Sequence, residues 1–171
     1  EWAAHMREHN GVQLSDQEIY DGIVGGLRAR YAEHLPAIPG AVEAVRRLAA
    51  VYRLGVASSS PREVIEYVLE WAGLRSCFAN VVSSDEVGQG KPAPDVYLEA
   101  CSRLNTAPES AMAVEDSANG LESAHAARMM VVAVPNAIYP PPAEALALAD
   151  AVLASVSGLD QAFIESLRDR R

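Results

Sequence analysis

Four residues of this sequence have side chains suited to handling an oxyanion: Ser58, Lys91, Glu115 and Asp116. The adjacent acids follow the apolar run Met112-Ala113-Val114 and precede Ser117-Ala118-Asn119-Gly120. Two carboxylates held together repel, so one takes a proton or a cation sits between them. Ser58 opens Ser58-Ser59-Ser60-Pro61-Arg62-Glu63, where Ser60 is the expected N-cap, Pro61 the first helical residue and Glu63 the acid completing a capping box. The amides of such a helix start, with the Ser58 hydroxyl, would bind an oxyanion such as phosphate. Lys91 stands in Gly88-Gln89-Gly90-Lys91-Pro92-Ala93-Pro94-Asp95. Pro92 disfavours helical backbone at Lys91, so a stiff, extended loop can aim one ammonium group.

Taken singly, each feature has an ordinary reading: a serine cap without a ligand, a solvated lysine, a pair of surface acids. Together, arriving in the order hydroxyl, lysine, acids, they suit phosphoryl transfer. Glu115 and Asp116 would hold Mg²⁺, which with Lys91 neutralises charge on the phosphoryl oxygens while Ser58 and nearby amides orient the group. Nothing in the set is a nucleophile. His5, His9 and His34 fall in a helical segment and His125 inside a helix, so all four read as structural or surface residues.

The elements that must position this set follow from hydrophobic spacing. Residues 1 to about 36 read as helical throughout, with a capping box at Ser15-Asp16-Gln17-Glu18 and apolar residues recurring at Ile19, Ile23, Val24, Leu27, Tyr31 and Leu35. Gly22, Gly25 and Gly26 each cost about 1 kcal/mol relative to Ala, which suggests a close neighbour or a mobile face. Pro36 and Pro39-Gly40 mark the expected boundary between residues 1–38 and residues 39–171. Beyond it, helices are expected at 41–50, 61–72, 96–104, 121–128, 143–149 and near 159–167. Strands are expected at 52–57, 80–83, 111–115 and 130–134, with a possible edge strand at 151–153. Strands alternating with helices imply βαβ units and a mostly parallel, doubly wound sheet, an α/β fold whose ligands bind beyond the carboxyl ends of the strands.

Composition narrows the partners. The 171 residues are 50% hydrophobic, enough for a sizeable core, and carry a formal net charge of −9. An acidic chain lacks the basic face that nucleic acid or an anionic membrane requires. No apolar run reaches the length of a membrane span and no signal-peptide pattern opens the sequence, so a soluble, cytoplasmic protein is expected. Cys77 and Cys101 lack metal-ligand spacing and read as buried structural thiols.

Three stretches carry a family resemblance: Ala57-Ser58-Ser59-Ser60, Gly90-Lys91-Pro92-Ala93-Pro94-Asp95 and Val114-Glu115-Asp116-Ser117-Ala118-Asn119-Gly120. In type and spacing they resemble the second, third and fourth motifs of the haloacid dehalogenase-like hydrolases, in the phosphatase and β-phosphoglucomutase-like branch with a helical cap. The resemblance runs from about Pro39 to the C-terminus and makes residues 1–38 the later part of the cap. It implies that Ser58 contacts the transferred phosphoryl group, with Ser59 and Lys91 completing the phosphate-binding set. Lys91 would bridge phosphate and nucleophile, and Asp116, with Glu115 directly or through water, would bind Mg²⁺.

The family's nucleophile is the first Asp of an Asp-x-Asp motif on the first strand, and no such motif occurs here. The resemblance places that strand at the centre of the sheet, between the strands ending at Ser58 and Glu115. Two apolar strand edges facing a gap are therefore expected, together with an upstream strand in the biological protein and no turnover by this chain alone. The expected function of the intact protein is Mg²⁺-dependent hydrolysis of a small phosphorylated, sugar phosphate-like metabolite through an aspartyl-phosphate intermediate. The alternatives are a sugar phosphomutase, which shares every residue named, and, from another class, an inactive fragment or non-catalytic binding module. Arg28, Arg30 and Arg62 are candidates for a second anionic group on the substrate; the sequence does not fix the oligomeric state.

Overall fold

The computed structural model describes residues 2–170, with side chains from Met6 onward, so Glu1 and the His5 side chain lie outside the described residues. It divides into two compact units, Glu1–Pro36 and Ala37–Arg171. The first contains helices α1 (Trp2–Asn10) and α2 (Asp16–Glu33). Ser15 caps α2 and Glu18 reaches back to the Ser15 amide at 2.9 Å, the reciprocal box expected from the sequence. Of the apolar residues expected along this helix, Ile19 and Val24 are buried. A Cβ added at Gly22, Gly25 or Gly26 would meet no heavy atom within 4 Å, so these glycines accommodate no close neighbour among the described residues.

The second unit alternates helices and strands: α3 (Ala41–Ala49), β1 (Leu54–Ser58), α4 (Arg62–Trp71), β2 (Phe78–Ser83), α5 (Asp95–Leu104), β3 (Met112–Glu115), α6 (Ala118–Ala126), β4 (Met130–Ala133), α7 (Ala143–Leu146), β5 (Ala151–Val152) and α8 (Gln161–Arg168). Every described strand pair is parallel. In β4 all four residues are buried, as in a strand covered on both faces. Its alternate side chains enter different cores. Val131 and Ala133 pack with Val96, Cys101, Leu121 and Ala145, whereas Met130 and Val132 pack with Leu48, Leu159, Ile164 and Leu167. Helices α5, α6 and α7 therefore cover one face, and α3 and α8 the other.

The strands form two sheets, β1-β2 and β3-β4-β5. Among the described residues β1 pairs only with β2, and β3 pairs only with β4 and not with β1. A groove of about 690 Å³ lined by Gly55, Val56 and Ala57 of β1 and by Met112, Ala113 and Val114 of β3 marks the gap expected from the sequence. Tyr97 and Cys101 of α5 also line it. No described helix is long and apolar enough to cross a membrane.

Candidate active site

Ser58 ends β1 and Glu115 ends β3, so the chain turns at both points beyond the carboxyl ends of parallel strands. After β1 the Ser60 amide donates to Ser58 Oγ at 3.1 Å, and Ser83 Oγ donates to the Ser60 carbonyl at 2.8 Å. These bonds correct the expected cap. Ser60 is engaged with the strand ends, Pro61 occupies the N-cap position of α4, and no side-chain cap bond forms there. The Pro61 carbonyl accepts from the amides of Val64 and Ile65 instead. Ser58 is half-buried and Ser59 exposed.

The loop before α5 carries Lys91 inward. The Lys91–Pro92 peptide is cis, the Asp95 carboxylate accepts from the Gln89 amide at 3.2 Å, and buried Ser123 of α6 donates to the Ala93 carbonyl at 2.7 Å. The Lys91 side chain is only 10% exposed and reaches the ends of both sheets. Its Nζ donates to the Ala57 carbonyl at 3.1 Å, to Tyr97 Oη at 3.4 Å and to Glu115 Oε1.

Glu115 is 8% exposed, an unusual place for a carboxylate unless it is compensated. Its Oε1 accepts from Lys91 and from the Tyr97 hydroxyl, the latter at 2.5 Å. Its Oε2 accepts from the Asp116 amide at 3.2 Å and from Ser117 Oγ at 3.3 Å. Ser117 is also the N-cap of α6, its hydroxyl accepting from the Gly120 amide, so the carboxylate rests at the positive end of that helix. A Cβ at Gly120 would overlap the Glu115 carboxyl group; glycine is what leaves the seat open. Burial by itself pushes the Glu115 carboxyl up. The Lys91 charge and hydrogen bond, then the bonds from Tyr97 and the Asp116 amide, outweigh that and hold it below its ordinary value. Burial and the Glu115 charge push the Tyr97 hydroxyl far up, so it remains a donor.

The structure thus brings Lys91 and Glu115 into contact beside the end of β1. Asp116 is exposed at the start of the turn, with no hydrogen-bond partner for its carboxylate among the described residues. Arg62 lies outside this cluster. It pairs with Glu86 at 2.7 Å and Glu66 at 3.1 Å and donates to the Val81 carbonyl, which withdraws it as a candidate for a second anionic group. Cys101 is buried and Cys77 half-buried, both free thiols. Tyr97 and Ser123 escaped the sequence reading, whereas Ser117 and Gly120 stood in the motif after the acids without their roles at Glu115 being assigned. A tyrosine on an otherwise apolar helix face, six residues after the lysine, was the available signal for Tyr97.

Hard divalent cations take oxygen donors, and a carboxylate at a strand end is such a donor. Asp116 fits that chemistry directly. The oxygens of Glu115 already accept from four protein donors, so its contribution to a cation fits better through water than by direct contact. Among the described residues no three His, Cys, Asp or Glu side chains cluster as a complete ligand set.

Residues 3–128 match the haloacid dehalogenase-like hydrolase family. The chain belongs to the haloacid dehalogenase-like hydrolases. It is 35% identical over 122 residues to hexitol phosphatase B of Escherichia coli K12, covering 71% of this chain and 55% of that protein. With the validoxylamine A 7'-phosphate phosphatase of Streptomyces hygroscopicus subsp. limoneus it shares 35% identity over 117 residues, 68% of this chain and 54% of that one. The chain therefore spans just over half the length of these curated relatives. Among solved structures, CbbY from Rhodobacter sphaeroides in complex with phosphate superposes with a TM-score of 0.81 at 29% identity, covering 90% of this chain and 70% of that one. That structure shares the α/β architecture of parallel sheets and helices described above.

Proposed function

We propose that the whole protein is a phosphatase of a small, sugar- or polyol-like phosphate ester, with its site at Lys91, Glu115, Asp116 and Ser58. The observation that carries this reading is the Lys91 ammonium, held between the Ala57 carbonyl at the end of β1 and the Glu115 carboxylate at the end of β3. A buried positive charge fixed beyond two strand ends is the preorganised partner that a transferred phosphoryl group needs. Ser58, with Ser59 beside it, offers a hydroxyl on the same strand end. The hexitol phosphatase and the validoxylamine phosphate phosphatase among the relatives support a polyol-like substrate.

In this reading the nucleophile is an aspartate on a strand seated between β1 and β3, the position of the groove, and the phosphoryl group passes through an aspartyl-phosphate. Asp116 directly, and Glu115 through water, would hold Mg²⁺, which supplies charge neutralisation at the phosphoryl oxygens. Residues 1–38 would form the later part of a helical cap.

The test is phosphate release by the whole protein from a panel of hexitol and sugar phosphates, with and without Mg²⁺. Asp116→Ala is expected to lower kcat by at least about 10²-fold, as loss of an electrostatic stabiliser does. An unchanged rate in that variant would overturn the assignment. Conversion of a sugar 1-phosphate to its isomer without phosphate release would replace hydrolysis by a mutase reaction.

A further inference from the structure

Tyr97 is 6% exposed, in the first turn of α5, packed with Val96, Ala100, Leu121 and Val131. Phenylalanine would fill the same space without a buried hydroxyl to satisfy. The hydroxyl donates to Glu115 Oε1 at 2.5 Å and accepts from Lys91 Nζ at 3.4 Å, and the ammonium stands 4.7 Å from the ring centroid. A lysine ammonium has three donors on a flexible four-carbon stem. Here the acceptors are the Ala57 carbonyl, the Glu115 carboxylate and the Tyr97 hydroxyl, one from each of β1, β3 and α5. Two acceptors would leave the stem free to swing about the line between them. The third, with the ring face beneath, fixes the position.

We propose that Tyr97 is a positioning residue for phosphoryl transfer: its hydroxyl and ring lock the Lys91–Glu115 pair in the place where the ammonium meets the phosphoryl group. The inference rests on the phosphatase reading for its kinetic consequence, while its geometric content stands on the contacts alone. Tyr97 reaches the reaction through Lys91 and Glu115 and touches no reacting atom. The chain order serves the arrangement, because the loop that delivers Lys91 runs straight into the helix turn that bears Tyr97, and Ser123 holds that loop from α6.

Two arms test it. In the whole protein with p-nitrophenyl phosphate, Tyr97→Phe is expected to lower kcat about tenfold, the worth of one hydrogen bond to a charged group, with KM changed by less than about twofold. In the Glu115→Gln background the same substitution should cost less than about twofold, because residues acting as a unit are not additive. A residue that merely fills the core would give wild-type kcat in Tyr97→Phe, or an equal loss in both backgrounds, and either result overturns the proposal. The second arm needs no activity: crystal structures of this chain with Tyr97 and with Tyr97→Phe are compared at Lys91. The ammonium is expected to shift by about 1 Å or more or to lose a single position, a displacement large enough to matter in catalysis. An unmoved Lys91 overturns the proposal. A whole wild-type protein that releases no phosphate overturns the phosphatase reading and leaves this second arm to decide the inference.

Discussion

Two clusters of charge in the second unit are built on opposite terms. At the strand ends, one lysine and one carboxylate are buried together, with side chains 10% and 7% exposed. Beside β2, Arg62 of α4 and Arg103 of α5 converge on Glu86, with side chains 41%, 34% and 26% exposed. The second cluster uses guanidinium groups, whose planar fork can serve a carboxylate and a backbone carbonyl at once. Both arginines also donate to the Val81 carbonyl, and Arg75 donates to the Phe78 carbonyl at 3.0 Å. Charge laid against a terminal strand in this way discourages further pairing. β2 has such a guard, whereas the unpaired edges of β1 and β3 line an apolar groove. An exposed network of this kind is inexpensive to form and adds little. A buried pair costs desolvation on both sides, and a well-packed apolar pair would hold the fold as well. The proposed function gives the first cluster its reason, and the guarded edge of β2 gives the second its own.

The largest expected effect breaks the buried pair on one side. Lys91→Met leaves Glu115 as an uncompensated buried charge and should destabilise the chain by about 3–5 kcal/mol. Lys91→Met combined with Glu115→Leu removes both charges and should recover most of that loss, while the whole protein stays inactive. Urea midpoints of the chain read the first part and phosphate release the second. If the double variant is no more stable than Lys91→Met, the pair is structural after all and the contrast between the clusters fails.

A smaller effect concerns the hollow that receives the carboxylate. Gly120→Ala places a methyl group where the Glu115 carboxyl lies, and overpacking of this kind costs about 1–3 kcal/mol. Glu115 must then withdraw from Tyr97 and Lys91, so activity should fall along with stability. Thermal melting and kcat measured on the same preparation check both, and a variant as stable and active as the wild type would mean that the carboxylate has room to move.

The alternation of helix and strand was legible because apolar residues recur with the periods that the two elements require. The ends were less so. Residues 52–53 read as strand, but the amides of Val51 and Tyr52 bond back to Leu48 and close α3, so β1 begins at Leu54. Glu115 and Asp116 stand out as polar residues at the end of an apolar run, and Lys91 as a charge set between Gly90 and Pro92. Tyr97 does not, because its ring satisfies the apolar pattern of α5 and the acceptor for its hydroxyl, Glu115, lies 18 residues away. The attachment of Arg62 was hidden for a related reason: Glu86 lies 24 residues away, and only the parallel pairing of β1 with β2 brings the two elements together. The Ser60 cap failed because the acceptor for the Ser60 amide is Ser58 and the donor to its carbonyl is Ser83, a partner from another strand.

The smallest effect belongs to the exposed network and is read through pH. The Arg62 hydrogen bond, aided by the Ser83 amide and Arg103, overcomes partial burial and lowers the Glu86 carboxyl from 4.5 to about 2. A carboxyl depressed in the folded state contributes stability that is fully present above its unfolded value and is lost as the pH falls through its folded one. The window is therefore from 4.5 down to about 2. With solvent screening at these exposures, the contribution is about 1 kcal/mol or less. Glu86→Gln should be slightly less stable than the wild type near neutrality, and the difference should vanish by pH of about 2. Urea midpoints of the two chains across that range isolate Glu86 from the other carboxyl groups, Glu115 included, because those titrate in both. A constant difference would show that the residue acts through packing, and one that widens on acidification would reverse the assigned direction of its shift.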